Sequence, residues 1–582
     1  MLYANDLLTD NKYIKHTDIA SSRRIRRNEL IADLLYREVL SKAYGDYCTG
    51  IKHRGQGTFA VKRNALINAV LLNNTTEDQS IINALNEYEA YNKVTPEGPG
   101  GLNSSRSYTL DKRSYDDSMK DVLSMSTGFA GKVGIPRQAT IDANVHGYRG
   151  YITSDSESDE DDINVTKTLC MTEALTPYGI TRDDPFRSAM NFVQTSKHGM
   201  RCNHSDPLLV TTGADEALPY LISNIFAFKA KDNGTVIEKT DDHMVIEYKT
   251  KDGKIEHDYI DLSENVEKNS SSGFFVTLKL DSDLKVGQKV KKGQVVAYDK
   301  KSFSDEMGYN DNIAYNVGTL AKFAIMNTDE GYEDSAIISQ DLVDKMTADI
   351  VMKKQVILSK DTNIFNMVNK GQEIKEGDTL LIIQKASDEE DVNVLLRNLA
   401  GDEEDITNLG RQKIESKVTG IVQDIVISRT VDKYELSPSL KKLVNAYEKD
   451  INDKKKIMKS YGINQETKLP STDKLPATGK LKDCEDGVLI EFYLKRVDKM
   501  SVGDKMIYYS ALKGVTKDIF PVGKEPTSSF RPDEKIHSLL SIGSVNGRMT
   551  CSIKLNAVLN KGLIELGRKV KDILGIPYDI NL

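Results

Sequence analysis

The meaning of the other motifs in the chain depends on one stretch, Asp498-Lys-Met-Ser-Val-Gly-Asp-Lys-Met-Ile-Tyr-Tyr-Ser-Ala-Leu-Lys-Gly514. It contains two lysines eight residues apart, Lys505 and Lys513, and each lies close to a glycine. An apolar, strand-like run at 488–493 leads into it. Ammonium groups held close to flexible backbone suit the binding of a phosphate-rich polymer. Lysines near turns are more often plain solvated surface, so the meaning of this pair depends on the rest of the chain.

The composition limits what the lysine pair can mean. The chain has 582 residues, with 79 Lys and Arg against 87 Asp and Glu, and a formal net charge of −8. This length predicts about three to five domains. The acidic balance excludes a simple electrostatic coat for nucleic acid. Binding of nucleic acid would need a local basic surface or basic partner subunits.

The cysteines indicate an intracellular protein without a disulfide framework. The five cysteines are scattered and form no Cys-x-x-Cys pair, which argues against disulfides and against a zinc ribbon. His198, Cys202 and His204 are potential metal ligands, but their spacing fits no common metal site. No apolar run approaches the length of a membrane span. The sequence therefore predicts a soluble protein with no membrane partner.

The N-terminal part is predicted to be helical at first and then rich in loops. Residues 1 to about 90 show helical spacing of apolar residues. Prolines and glycines at 95–102 and 128–138 predict two constrained loops, and Arg137 in the second loop is a candidate phosphate clamp. Three acidic tracts are expected to be solvated loops without chemistry, and they lie at 154–162, 388–391 and 401–405.

From about residue 208 the pattern changes to strands. Two segments, 286–297 and 370–381, each place two glycines six residues apart between short apolar strands. Such strand-turn-strand units are typical of small β-barrels and sandwich-barrel folds. Biotinyl and lipoyl carrier domains share this pattern, but they need a Met-Lys-Met or Asp-Lys-Ala turn, which is absent here. Two helices are predicted, at 438–461 and at about 552–574.

A carboxylate pair and a second glycine loop complete the set of candidate residues. Glu333 and Asp334 lie between a Gly-Tyr turn and an apolar run. Adjacent carboxylates are ordinary on a surface, but at an active site they would steer a magnesium ion through oxygen ligands. Arg548 lies in a glycine loop that follows the two lysines. The Gly/Pro loops, the carboxylate pair, the lysine pair and Arg548 thus follow one another along the chain.

This order of motifs resembles the C-terminal half of the β subunit of multisubunit DNA-dependent RNA polymerases. In that family a Glu-Asp pair precedes Gly-Asp-Lys-x7-Lys-Gly, and an Arg-Met loop follows; the lysine spacing is matched residue for residue here. Segments 98–102, 184–190 and 206–213 resemble family segments in the same order. The resemblance covers roughly residues 10 to 565.

The chain also departs from this family. The segment before the Glu-Asp pair is shortened, and residues 507–512, between the lysines, differ from the family's Gly-Arg-His-Gly-Asn. The N-terminal lobes and the C-terminal clamp of β have no counterpart in the chain. A highly diverged β that begins in mid-protein resembles the split subunits encoded by giant bacteriophages.

The resemblance implies an α+β multidomain fold. A helical fork- and lobe-like N-terminal part would precede a double-psi β-barrel, which contains an inserted flap of the sandwich-barrel hybrid type, and a C-terminal helix would follow. The implied domains are a helical lobe or protrusion remnant (1–90), a fork and external region (91–230), a hybrid-binding region with the first part of the barrel (231–355), a flap or wall insertion (356–480), the second part of the barrel (481–551), and a C-terminal helix and tail (552–582).

The resemblance also implies a role for each cationic candidate. Lys505 and Lys513 would hold the RNA 3′ end and its phosphates during nucleotidyl transfer. Arg548 and Arg137 would neutralise the triphosphate of the incoming nucleotide, a task suited to bidentate donors. Lys132 is the rival of Arg137 for this contact.

Mg²⁺ would be held mainly by a partner. In the family the catalytic ion is bound by an Asn-Ala-Asp-Phe-Asp-Gly-Asp loop of β′, which does not occur here. Glu333 and Asp334 would only assist a second Mg²⁺. We therefore expect the chain to be inactive alone. Its expected partners are a split N-terminal β subunit, β′-type subunits, an initiation factor at helix 438–461, the DNA template, RNA and nucleoside triphosphates.

The expected location is the cytoplasm of an infected bacterial host, or the virion. The alternative hypothesis is a non-catalytic phage structural or DNA-binding protein that reuses β-barrels. The two hypotheses differ in one observable. Only the polymerase subunit requires Lys513 for RNA synthesis by the assembled complex.

Overall fold

The computed structural model describes most of the chain from residue 165 onward and parts of the N-terminal region. The described residues are 24–25, 36, 40–61, 71, 80–95, 122–128, 131, 133–143, 145–146, 151–152, 165–250, 252–268, 273–305, 312–328, 331–385, 411–463, 469, 473–477, 481–484 and 486–575. Most of the predicted N-terminal helical pattern, the segment 98–102, Lys132 and the three acidic tracts lie outside them.

The described helices and strands are as follows. The α-helices are α1 (Lys42–Arg54), α2 (Ala84–Asn92), α3 (Met171–Leu175), α4 (Gly179–Arg182), α5 (Pro185–Val193), α6 (Ala214–Leu221), α7 (Gln340–Lys345), α8 (Pro438–Ser460), α9 (Ile542–Asn546) and α10 (Cys551–Leu574). The strands are β1 (Arg24–Ile25), β2 (Lys93–Thr95), β3 (Leu123–Thr127), β4 (Arg137–Ala139), β5 (Val145–His146), β6 (Tyr151–Ile152), β7 (Ala227–Lys229), β8 (Gly234–Lys239), β9 (His243–Lys249), β10 (Ile255–Asp261), β11 (Asn265–Lys268), β12 (Phe275–Leu278), β13 (Lys289–Val290), β14 (Val295–Tyr298), β15 (Phe303–Asp305), β16 (Ile313–Tyr315), β17 (Phe323–Ile325), β18 (Ser335–Ser339), β19 (Thr347–Ser359), β20 (Asn363–Met367), β21 (Glu373–Ile374), β22 (Thr379–Gln384), β23 (Arg411–Glu415), β24 (Gly420–Arg429), β25 (Gly487–Lys499), β26 (Lys505–Tyr508), β27 (Leu512–Phe520), β28 (Thr527–Ser528), β29 (Arg531–Lys535) and β30 (Ser538–Leu540).

The predicted α+β class is confirmed, with mainly antiparallel sheets and a half-barrel. An N-terminal sheet has the strand order β3-β4-β2-β1-β6-β5, and a second sheet has the order β10-β9-β8-β13. A central sheet has the order β11-β12-β19-β25-β24-β21, and the half-barrel sheet has the order β17-β30-β18-β27-β26. A three-stranded sheet, β20-β22-β23, and the pairs β14-β7, β15-β16 and β28-β29 complete the described set. Within the described residues no helix is both long and apolar enough to span a bilayer.

The central sheet is built on one long antiparallel ladder. β19 and β25 pair along their whole length, from Thr347 opposite Lys499 to Ser359 opposite Gly487. The first eight residues of β25, through Leu494, are buried, because β25 lies between β19 and β24 and its sheet packs against a large apolar cluster. The run predicted at 488–493 is therefore confirmed as a strand. β25 leads from this core directly to the two lysines.

The half-barrel sheet combines parallel and antiparallel pairs. β18 runs parallel to β27, and β17 runs parallel to β30. β18 pairs antiparallel with β30, and β26 pairs antiparallel with β27. Apolar clusters that include Ile338 and Met506, and Leu512 and Leu540, are formed by its side chains. This sheet brings the start of β18, where the carboxylate pair lies, next to the lysine-bearing strands.

The repeated glycine segments form turns, but not simple hairpins. Gly287, Gly293, Gly371, Gly377 and Gly503 all have positive φ, between 79° and 96°. The side chain after each glycine accepts a hydrogen bond from a backbone N–H three residues earlier, at 2.8–3.1 Å. The two strands of the first unit, β13 and β14, pair with β8 and β7 rather than with each other. The predicted turns are thus confirmed, and the strands on either side of them pair with other strands of the fold.

Both predicted C-terminal helices are present. The helix predicted at 438–461 is α8, which starts after Ser437, whose hydroxyl accepts from the Leu440 N–H, and has Pro438 in its first turn. The helix predicted at 552–574 is α10, which ends at Gly575 with φ 64°. α8 lies in the insertion between β19 and β25, and α10 follows the half-barrel.

Candidate functional site

The hairpin β26–β27 places the two lysines on one face. In its register Lys505 is opposite Val515 and Ile507 is opposite Lys513. Side chains alternate along a strand, so Lys505 and Ile507 share a face and Lys505 is the diagonal neighbour of Lys513. In this register the two lysines are diagonal neighbours because they are eight residues apart in the sequence. The two ammonium groups therefore form a local cationic face on an acidic chain.

The turn of this hairpin is anchored on α5. Ser510 and Ala511 have φ values of 73° and 64°, which non-glycine residues rarely adopt. The Ala511 N–H donates to Asn191 Oδ1 at 3.1 Å, and Asn191 Nδ2 donates to Thr176 Oγ1 at 2.8 Å. The Tyr509 hydroxyl donates to the carbonyl of Leu175. These contacts explain the residues between the lysines, because they hold a strained turn against the N-terminal region.

A histidine that the sequence analysis did not assign lies against Lys513. His198 ends a π-helical turn, 194–198, that continues α5. Its Nδ1 lies 3.3 Å from Lys513 Nζ. The pKa of His198 is lowered by partial burial and by the positive charges of Lys513, Lys197 and Lys505. The pKa of Lys513 is itself lowered, first by burial and then by Lys505.

The predicted carboxylate Asp334 and the predicted Arg548 are brought together as an ion pair. Both Asp334 oxygens accept from the Arg548 guanidinium, with 2.5 Å between Arg548 Nη2 and Asp334 Oδ2. Asp334 has φ 60°, and its N–H donates to Ser544 Oγ at 2.8 Å. Its carbonyl accepts from the Val515 N–H at 2.8 Å, which ties it to the lysine hairpin. The pKa of Arg548 is raised by its hydrogen bonds to Asp334 and by the charges of Asp334 and Glu333.

A second arginine, Arg187, is near enough to this pair for their charges to interact. Arg187 is on the first turns of α5, and the pKa of Arg187 is lowered by burial and by the charge of Arg548, with Asp334 acting in the opposite sense. The loop before α5 is tied to the start of α10, because the Asp183 carboxylate accepts from the N–H and hydroxyl of Ser552. Arg187 was not among the residues predicted from the sequence. The available signal was its position inside 184–190, a segment that resembled the polymerase family.

The predicted Arg137 lies on the N-terminal sheet. It is on β4 of the N-terminal sheet, half-buried, and its guanidinium donates to the carbonyl of Ser124 at 2.6 Å. Its charge lowers the pKa of the nearby Glu173, although burial raises that pKa overall. Of the two arginines predicted from the sequence, Arg548 is tied to the lysine hairpin through Asp334, and Arg137 lies on the N-terminal sheet.

The cationic face borders an open cavity. The cavity has a volume of about 820 Å³, and Lys505, His198, Met506 and Tyr508 are among its lining residues. A ligand of nucleotide size fits such a space. Lys505 is exposed there, so a phosphate in the cavity can reach its ammonium without rearrangement of the hairpin.

The described residues do not complete a magnesium site. Both oxygens of Asp334 are occupied by Arg548, which leaves the exposed Glu333 as one carboxylate ligand from the pair. No group of three or more His, Cys, Asp and Glu side chains in the described residues could hold a metal ion. His204 instead pairs with Asp206 at 3.0 Å.

The comparisons with known proteins agree with a viral transcription enzyme. Residues 1–105 match a family model described as bacteriophage RNA polymerase. The match covers 105 of 582 residues and ends before the lysine hairpin, so it supports a phage RNA polymerase without reaching the site. No curated protein matches the chain.

Proposed function

We propose that this chain is the β-type subunit, corresponding to the C-terminal half of β, of a split phage RNA polymerase. The observation that carries the proposal is the common site of Lys505, Lys513 and the Asp334–Arg548 pair. Motifs separated by some 170 to 210 residues in sequence thus meet beside one sheet.

The reaction is template-directed nucleotidyl transfer. The 3′ oxygen of the RNA attacks the α-phosphorus of a nucleoside triphosphate, the bond to the β-phosphate bridging oxygen breaks, pyrophosphate leaves, and the hydroxyl proton passes to solvent. Such transfer depends on positioning and on neutralising charge. Lys505 and Lys513 bind the phosphates at the RNA 3′ end. Arg548 and Arg187 bind the triphosphate of the incoming nucleotide.

The finer architecture follows from the same proposal. The half-barrel sheet, with its parallel pairs β17–β30 and β18–β27, is the part of a double-psi β-barrel contributed by this chain. The insertion between β19 and β25 is the flap, and α8 on it is the contact for an initiation factor. The helical N-terminal region, with the fork, contacts the split N-terminal β subunit. The enzyme acts in the cytoplasm of the infected host or is packaged in the virion.

A β′-type subunit completes the site in this proposal. It supplies the aspartates that hold Mg²⁺, because the described residues here offer Glu333 and an Asp334 already paired with Arg548. The exposed apolar side chains of α10 support a partner of this kind. Val558, Leu566 and Ile573 are 71%, 58% and 79% exposed, and apolar surface of this extent on one helix is typical of an interface.

Co-purification tests the subunit assignment. Tagged chain expressed during infection should retain at least one polypeptide that contains Asp-Phe-Asp-Gly-Asp, and the complex should synthesise RNA while the isolated chain does not. Mass spectrometry of the retained proteins and a primer-extension assay provide the measurements. An active polymerase that lacks such a polypeptide, or RNA synthesis by this chain alone, would refute the assignment.

Substitutions of Arg187 and Arg137 test which arginine binds the triphosphate. Arg187→Ala should raise the KM for nucleoside triphosphates about 10- to 100-fold, because a charge-assisted contact to phosphate is lost. Arg182→Ala, an exposed arginine at the end of α4, is the matched control and should leave KM unchanged. Arg137→Ala distinguishes the two hypotheses. If it raises KM and Arg187→Ala does not, Arg137 is the triphosphate ligand.

A further inference from the structure

We propose that His198 is a positioning residue for Lys513: its neutral imidazole accepts a hydrogen bond from the Lys513 ammonium and holds that ammonium toward the RNA phosphates. The inference rests on the proposed function and adds a residue to its site. It starts from the 3.3 Å contact between His198 Nδ1 and Lys513 Nζ. Because a lysine ammonium has donors and no acceptor, Nδ1 must be the acceptor, and the histidine proton lies on Nε2.

The π-helical turn that carries His198 is fixed by a buried asparagine. Asn83 is 6% exposed, and its side-chain amide donates to the carbonyls of Thr195, Ser196 and Gly199 at 3.0, 3.4 and 2.7 Å. The residues that carry these carbonyls lie on both sides of His198 in the sequence. A π-turn leaves carbonyls without their usual helical donors, and Asn83 supplies donors to them. The imidazole is therefore presented from a rigid support.

Neighbouring side chains leave His198 as the partner of Lys513. The adjacent Lys197 turns to Glu89, with 3.0 Å between Nζ and Oε1. Ser196, on the other side, is fully buried and donates to Glu89 Oε2 at 2.6 Å. The side chains of Ser196 and Lys197 thus both contact Glu89 of α2, while the His198 imidazole contacts Lys513 of the hairpin.

The charges around His198 set the sign of a pH effect. The cationic groups that act on it are Lys513 and Lys505 from the hairpin and Lys197 from its own turn, and the carboxylate Glu89 is paired with Lys197. A protonated imidazole cannot accept from Lys513 and repels it. The hydrogen bond therefore exists above the pKa of His198 and is lost as pH falls through it, and the lowered pKa of His198 keeps the neutral form at neutral pH.

The test is the pH profile of nucleotide addition by the assembled polymerase. His198→Asn places an amide oxygen near the position of Nδ1 and carries no titratable group. It should keep most of the activity at about pH 8 and lose less activity than the wild type between about pH 8 and pH 5.5. His198→Leu should lower the rate about tenfold at about pH 8, since it removes the acceptor, and its difference from wild type should narrow as the wild-type imidazole is protonated. His204→Asn is the matched control and should retain the wild-type profile.

The outcomes separate this inference from the proposed function. The positioning role would be overturned if the rates of wild type and His198→Asn fell equally toward acidic pH, or if His198→Leu were fully active. Either result would count even if Lys513→Ala is inactive. Full activity of Lys513→Ala would overturn the proposed function itself. Rescue by asparagine and not by leucine is a result that a merely structural histidine would not produce.

Discussion

Lys513→Ala should lower the rate of nucleotide addition by the assembled polymerase about 10²- to 10³-fold. A preorganised cationic group at a site of developing charge contributes about that much. Lys513 is half-buried beside Lys505 and His198, so its ammonium is held in place before the substrate binds. The loss should appear mainly in kcat if the interaction strengthens in the transition state. Single-turnover primer extension measures it.

Lys517→Ala is the matched control for this variant. Lys517 is an exposed lysine on the same strand, β27, four residues further along and about 13 Å away in an extended strand. It should leave the rate of nucleotide addition unchanged. Wild-type rates for Lys513→Ala in a complex that retains all its partners would favour the non-catalytic structural or DNA-binding protein.

The lysine face was predictable because it depends on local periodicity. Strand residues alternate between two faces, and the positive-φ turn at Gly503 sets where β26 starts. These two constraints act over the short segment 501–515, so the sequence contains them. The same reasoning located β25 from its short apolar run, and α8 and α10 from helical spacing over more than ten residues.

The other half of the site was not predictable in this way. His198 and Lys513 are 315 residues apart, and their contact depends on how α5 docks on the hairpin turn through Asn191. No local pattern encodes such a contact, because it results from tertiary packing. For the same reason the strands around the glycine turns were found but their partners were not, since β13 and β14 pair with strands some 50 to 70 residues earlier. The interaction between the charges of Arg187 and Arg548 also depends on tertiary packing.

Arg548→Ala should raise the KM for nucleoside triphosphates about 100-fold, and Asp334→Asn should raise it about tenfold. The first variant removes a bidentate phosphate donor. The second removes the carboxylate that orients this donor through two hydrogen bonds. Asparagine is chosen because residue 334 has φ 60°, which Asn tolerates better than Ala. Steady-state KM for one nucleotide, with the others saturating, is the measurement.

A double-mutant cycle decides how Asp334 acts. If Asp334 works by orienting Arg548, the double variant should be no worse than Arg548→Ala, because two groups that act as one unit are non-additive. Asp344→Asn, which alters the exposed pair with Lys499 at 2.8 Å, is the matched control and should change nothing. A further tenfold rise in KM in the double variant would mean that Asp334 acts independently, as a direct ligand of a metal or substrate.

A fall in KM for Asp334→Asn alone would instead mean that the ion pair competes with the triphosphate for Arg548. The paired geometry favours orientation, since the Asp334 backbone is held by Ser544 and Val515 at 2.8 Å each and so gives Arg548 a fixed anchor.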